Sequence, residues 1–322
     1  MNRLAPSLVV PLVAVLALLA MPLPTWIALT VAGIALGTML FLMASGLTLV
    51  FGLMDVMNFA HGAFVTLGAY VAVSVLGQVP LWIAATSLGP NLAALAVAII
   101  AAAACGAVAG LVFERLFIRH VQGSHLRQIL MTAGALIVVG ELMLMLWGAE
   151  PLNVAKPALL RGSILVAGAE IETYRLVAIV LGLAIWLSLH LILNRTRLGL
   201  LVRAGVENRE MVEALGFRIG RLFVLVFAVG AALAGIGGAM WAVYQEIVTP
   251  AIGAEMTVLI FITVIIGGLG SVGGCLVAAI LVGLTANYAG FLAPKLALGS
   301  NLALLVLVLL WRPRGLFPLS KS

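Results

Sequence analysis

About ten long apolar runs follow one another along this chain, separated by short polar pieces. They lie near 5–22, 25–53, 60–86, 91–118, 129–148, 175–193, 222–244, 253–267, 272–292 and 296–311. A helix of roughly 20 apolar residues crosses the hydrocarbon core of a bilayer. Lipid offers no partner for backbone N–H and C=O groups, so such runs become helices. The predicted fold class is all-α, a polytopic integral membrane protein with about eight to ten transmembrane helices, some interrupted at glycines. Residues 1–322 read as a single transmembrane domain. The run 25–53 exceeds the core thickness at about 1.5 Å per residue, so either a tilt or a break is expected there.

Composition agrees. Of the 322 residues, 64% are hydrophobic and 9% are charged, too few to cover a soluble surface. The net charge of +6 invites a nucleic-acid reading, but the basic residues gather in a few loops. With the N-terminus inside, Arg3, Arg115, Arg119, Arg127, Arg195, Arg197, Arg203, Arg209, Arg218, Arg221, Arg312, Arg314 and Lys321 fall on the cytoplasmic side. Only Lys156, Arg161, Arg175 and Lys295 fall outside, so the positive-inside rule predicts cytoplasmic termini. Arg3 with "LAPSLVVPLVAVLALLA" resembles a signal peptide, but "MPLP" follows in place of a small-residue cleavage site. A retained first span is expected. Cys105 and Cys275 sit inside apolar runs, which excludes a disulfide framework or a cysteine metal site.

Two polar insertions stand out. Residues 148–175 alternate and carry Pro and Gly breaks, so a periplasmic loop with a small hairpin is predicted. Residues 194–221 are arginine-rich and read as a cytoplasmic helix. Within "RAGVENREMVEALGFRIGRL", Glu207, Glu210 and Glu213 alternate with Arg203, Arg209 and Arg218. Val206, Met211, Val212 and Leu215 form an apolar stripe, and Gly216 is placed to end the helix. Its plain reading is a helix at the headgroups; its functional reading is docking to a cytoplasmic partner.

The stretch "VMNFAHGAFVTLGAY" follows Asp55, the only aspartate, and places Asn58, His61 and Gly62 between apolar runs. Polar groups at lipid depth face a cavity or each other. "GGLGSVGG" supplies Gly267, Gly268, Gly270, Gly273 and Gly274, which permit backbone shapes closed to other residues. Both read as helix breaks near a pathway, or as tight inner loops. Residues 48–74 and 257–283 share an apolar–break–apolar order, and a paired interruption of this kind points to a transport pathway. Gly33 with Gly37, and Gly106 with Gly110, are spaced for close helix packing. Glu141, inside the 129–148 run, needs a partner or a proton. His61, His120, His125 and His190 are scattered, and no phosphate-binding loop or paired catalytic group is present, so no enzyme is expected.

In order, "GLTLVFGLMDVMNFAHGAF", "RAGVENREMVEALG", "GGLGSVGG" and "RPRGLF" resemble the permease of branched-chain amino-acid ABC importers, over nearly the whole chain. The shorter leucine/isoleucine/valine type, without a long N-terminal extension, is the nearer likeness. The resemblance implies a bacterial inner-membrane importer subunit that forms the path for branched-chain or other hydrophobic amino acids. It implies a second related permease, two ATPase subunits that bind the ATP, and a periplasmic substrate-binding protein. This chain would then bind no cofactor itself. It makes the 203–216 loop the helix that couples to the ATPase, with "EAL" before Gly216 a partial match. Asn58, Ala60, His61 and Gly62 fall on the family's Asn-Phe-Ala-His-Gly motif. Relatives of this kind also carry urea, amides or aromatic carboxylates. A stand-alone channel or ion-coupled carrier, using Asp55, His61 and Glu141, is the alternative from another class.

Overall fold

The long apolar runs are helical, except that run 60–86 breaks after Gly77 and continues only as a short helix, Pro80–Ile83. The computed structural model describes residues 6, 8–121, 123–207 and 209–318, apart from the side chains of residues 206, 207, 209, 210 and 298. The helices are α1 (Val9–Ala20), α2 (Leu23–Met54), α3 (His61–Gly77), α4 (Leu88–Phe113), α5 (His125–Trp147) and α6 (Thr173–Arg195). They continue with α7 (Arg197–Glu207), α8 (Arg209–Ala214), α9 (Ile219–Gln245), α10 (Ile252–Gly267), α11 (Val272–Leu292) and α12 (Ala297–Trp311). Among the described residues, six helices are long and apolar enough to cross a membrane: α2, α4 with its extension to Val121, α5, α6, α9 and α11. The shorter apolar helices are α1, α3, α10 and the Gly299–Trp311 part of α12. The chain is a multi-pass, all-α membrane protein.

Run 25–53 is one helix. Pro22 and Pro24 start α2, where a missing N–H costs nothing. Its 32 residues span roughly 48 Å, well beyond the ~30 Å core. It stops at Asp55, which takes a left-handed conformation with φ 51°.

α9 is central. It packs against α4, α3 and α2, while α2 also runs along α11. Lipid is as apolar as the side chains, so contact here depends on close approach rather than on water exclusion. The expected glycine spacings serve this end. Gly33 and Gly37 lie on Leu284 and Ile280 of α11, and Gly106 and Gly110 lie on Ala231 of α9. α5, α6 and α12 stand at the periphery with Leu130, Ile137, Met145, Val180 and Leu310 turned outward.

The predicted hairpin forms between β2 (Ser163–Val166) and β3 (Ala169–Glu172), antiparallel and joined by Ala167 and Gly168 with positive φ. A pair absent from the sequence reading joins β1 (Leu152–Asn153) to β4 (Ile247–Val248). Residues 194–221, predicted as one helix, instead form α7 and α8. The Thr196 hydroxyl accepts from the Gly199 N–H at the start of α7, an N-cap geometry. The two faces of the bundle are named below by these loops, the hairpin side and the arginine-rich side.

Candidate functional site

α2 does not hand over to α3 at the membrane surface. From Asp55 the chain doubles back as a non-helical lead, residues 55–60. Lipid cannot satisfy such a backbone, and α5 does so: the Phe59 N–H donates to Thr132 Oγ1 at 3.0 Å. α3 then starts at His61, whose Nε2 lies 2.7 Å from the Met43 carbonyl oxygen. Met43 is roughly 16 Å along α2 from its Met54 end. α3 therefore begins part-way through the bundle, and its 17 residues suffice to reach the hairpin side.

The same arrangement recurs upside down. α9 ends at Glu246, again left-handed with φ 60°. Residues 246–251 lead back from the hairpin side, held by the β1–β4 pair, and α10 starts at Ile252. The level is set by Gly237, which packs on Met43 and sits roughly 12 Å from the Gln245 end of α9. The first turns of α3 and α10 meet. A Cβ on Gly62 would overlap the Gly253 carbonyl oxygen and Thr257 Oγ1, and a Cβ on Gly253 would overlap Thr66 Oγ1. Local bonding matches as well. His61 N–H donates to the Asn58 carbonyl at 3.3 Å, and Ile252 N–H to the Thr249 carbonyl at 3.3 Å. Thr66 and Thr257 hydroxyls donate to the Gly62 and Gly253 carbonyls at 3.2 and 2.6 Å. The two units, "HGAFVT" and "IGAEMT", enter from opposite sides, as the halves of an inverted repeat do.

This corrects the expected pairing. The partner of the Asp55–Thr66 unit is residues 246–257, and not the glycine run 267–274. That run is a tight turn from α10 to α11 on the arginine-rich side. Gly268 and Gly270 have positive φ, and the turn is stitched to the tail by Leu316 N–H to the Ile266 carbonyl and Phe317 N–H to the Gly267 carbonyl. Gly270 touches Gly52 at the end of α2, Gly274 packs back on Gly267, and Gly273 faces open space. Glycine density marked a crowded turn; the re-entrant lead is marked instead by one glycine in each first turn.

The remaining expected residues fall in three places. Asn58 and His61 are fully buried in the packing around the crossing. His61 reaches the Met43 carbonyl in the interior of α2, whereas Asn58 Nδ2 and Oδ1 have no hydrogen-bond partner among the described residues. Asp55 is exposed at the arginine-rich side, 3.9 Å from His125 Nε2. Glu141 is exposed on α5, roughly 9 Å from its Trp147 end, without an ion pair among the described residues.

On the arginine-rich side, Met211 and Leu215 are exposed one turn apart, Val212 is buried beneath them, and Arg203 and Glu213 are exposed. Gly216 follows α8 with φ 87°. The Glu207, Arg209 and Glu210 side chains lie outside the described residues. Beside α8 a groove of about 500 Å³ runs between Leu198, Leu201, Leu222 and Leu225, with Arg218 and Arg221 among its lining residues. A short helix with an exposed apolar pair next to an apolar groove is suited to docking another protein.

Two features escaped the sequence reading. Lys156, 2% exposed, pairs with Glu172 and, at 2.8 Å, with Glu246, and its ammonium lies over the Tyr174 ring. It anchors the 246–251 lead to the loop between α5 and α6. The second is Glu255, one turn into α10. It is exposed beside Ala251, Ala254 and Val258, with no ion pair among the described residues. A charge at this depth costs ~3 kcal/mol on insertion scales, more than an exposed ion pair returns. The recurrence of Gly-Ala-x-x-Thr was the available signal for the Glu255 unit. For Lys156 no local signal exists, because its partners come from distant segments.

A family model described as the branched-chain amino acid transport system permease component matches residues 29–311. The LivH permease protein of the high-affinity branched-chain amino acid transport system of Salmonella typhimurium is 29% identical over 291 residues, 88% of this chain and 92% of that one. BraD of Pseudomonas aeruginosa, named in the same terms, is 28% identical over 298 residues, 88% and 93% of the two chains. LivM of Escherichia coli, also a permease of such a system, is 31% identical over 144 residues, 43% of this chain and 33% of that one. No solved structure matches. A fold of stacked apolar helices with paired re-entrant segments and a match across almost its whole length lead to one conclusion: the chain belongs to the permease family of branched-chain amino acid transport systems.

Proposed function

We propose that this chain is a permease subunit of an ATP-driven importer in a bacterial inner membrane, with branched-chain amino acids as substrates. The observation that carries the reading is the family match over residues 29–311. The partial likeness to LivM, a second permease of such a system, supports pairing with a related chain across the translocation path. The charge asymmetry supports a cytoplasmic arginine-rich side with both termini on it. There the exposed Met211 and Leu215 of α8 dock an ATPase. Two ATPase subunits bind and hydrolyse ATP, and a periplasmic binding protein delivers substrate to the hairpin side. This chain makes and breaks no bonds. It biases the path between outward and inward access through its different affinities for partners in the two states.

The test is reconstitution. The chain, its neighbouring permease, the ATPases and the binding protein are placed in proteoliposomes, and uptake of labelled leucine, isoleucine and valine is followed with and without ATP. ATP-dependent uptake is expected for at least one of them. Uptake of urea, short amides or benzoate alone would overturn the substrate assignment. ATP-independent flux would favour the channel or carrier. For docking, Glu210→Arg with Gly216→Pro is expected to weaken capture of the ATPase and leave membrane insertion intact. Unchanged capture would remove α8 from that role.

A further inference from the structure

The two half-helices share a cap, a glycine, an alanine and a threonine, yet they part at one position. Two residues after its glycine, α3 has Phe64 and α10 has Glu255. Phe64 is buried, edge-on to Phe113 and Phe227 with ring centroids 5.9 and 6.1 Å away. Glu255 points out of the protomer. Its depth follows from the contact of its own turn with Gly62, at the level of Met43, well inside the bundle from both ends. Acyl chains cannot solvate a carboxylate there, so the surface it faces holds water, a cation, or both.

The shape of that surface narrows the choice. The open stripe of α10 runs through Ala251, Ala254, Glu255 and Val258 and narrows at Ile262, which is buried, while Phe261 and Ile265 stay half-exposed. The residues flanking the carboxylate are small, which leaves room beside it. Next along the same stripe, Phe261 stacks on Phe59 with centroids 4.6 Å apart, an apolar wall. A carboxylate, free space and an apolar wall, in that order, match a small molecule with a cationic head and an aliphatic body.

We propose that Glu255 is the residue in the translocation path that binds the ammonium group of the amino-acid substrate at mid-membrane depth. This rests on the importer reading above and adds to it a named contact on this chain. It also assigns the open face of α10 to the path itself, in place of lipid or a salt bridge with the second permease.

The experiment uses the full reconstituted complex. Wild-type, Glu255→Gln and Glu255→Asp chains are compared for ATP-driven uptake of labelled leucine and for co-purification with the second permease. Glu255→Gln is expected to lower uptake at least 10-fold while co-purifying normally, and Glu255→Asp is expected to recover part of it. Wild-type uptake by Glu255→Gln overturns the site and leaves the importer reading standing. Lost co-purification in Glu255→Gln reassigns the carboxylate to subunit pairing and overturns the site. A wild-type complex that moves no amino acid overturns both. A second measurement is independent of uptake: Glu255→Cys in the assembled complex is exposed to a small water-soluble methanethiosulfonate. The wild-type chain, with Cys275 buried and Cys105 half-buried, is the control. Labelling of Cys at this position, slowed by leucine-loaded binding protein with ATP, is expected. No labelling means the face is dry and overturns the proposal.

Discussion

α3 and α10 are two solutions to one local problem. Each follows a left-handed acidic residue, Asp55 or Glu246, and a non-helical lead, and each begins against the other's glycine. They differ in what covers them. α3 is wrapped by α9, α4 and α10, and its Ala63 and Phe64 are buried. α10 packs on α11, α3 and α2 and leaves a stripe open at the level of the crossing. Their leads are anchored differently too. The 55–60 lead leans on a threonine hydroxyl and an exposed, distant pair between Asp55 and His125. The 246–251 lead is held by a two-stranded pair and a buried lysine. A duplicated backbone thus carries one unit built to pack and one left open at a single face.

Four pairs of substitutions probe that difference, in falling order of effect. Gly62→Val and Gly253→Val attack what the units share. Each drives side-chain atoms into a backbone carbonyl with nowhere to move, so overpacking exceeds the usual ~1–3 kcal/mol. Both are expected to yield no monodisperse protein by size-exclusion chromatography, and a stable Gly253→Val protein would break the equivalence. Exchanging the divergent residues comes next. Phe64→Glu puts an unpaired carboxylate in an aromatic cluster and is expected to lose about 4 kcal/mol of stability, read as a large fall in melting temperature. Glu255→Phe is expected to leave the melting temperature of the isolated chain within a few degrees, because that face is open. Equal losses in the two would erase the contrast.

The anchors give smaller effects. Lys156→Ala leaves Glu246 without its cation, while Glu172 keeps Arg175 at 3.3 Å, and is expected to cost about 2 kcal/mol. His125→Ala removes only an exposed partner at 3.9 Å and is expected to cost under ~1 kcal/mol. Hydrogen exchange would locate the Lys156→Ala loss in 246–251, and protection unchanged there would refute the anchoring role. Last, Thr66→Val and Thr257→Val each remove one hydroxyl bond to a carbonyl of the same helix. About 0.5–1 kcal/mol apiece is expected, nearly equal for the two.

The helices were legible because lipid leaves a long apolar run no other form, and the order of the runs carried the family likeness. The glycine pairs at 33/37 and 106/110 were read correctly as packing for the same reason. The crossing was half legible. "NFAHG" drew attention through its polar residues, and His61 does meet a backbone carbonyl. Its true partner was hidden because "TPAIGAEMT" has no polar cluster to flag it and "GGLGSVGG" is far richer in glycine. Glu255 was passed over because its depth depends on where α10 begins, and that is set by Gly62 on a different helix. Lys156 read as a loop charge. Its burial is created by Glu172 and Glu246, which only the folded chain brings together.

The leads 55–60 and 246–251 also constrain how this protein is made. A segment such as α3 or α10 cannot be released sideways into lipid when it is synthesised, since its lead would carry bare amides and carbonyls into hydrocarbon. The Phe59 N–H waits for Thr132 on α5, a helix translated later, whereas Val248 pairs with Leu152, a residue translated earlier. The N-terminal half must therefore be held by the insertion machinery until α5 arrives. The C-terminal lead meets its strand partner already made, so the N-terminal lead stays unsatisfied for longer during synthesis.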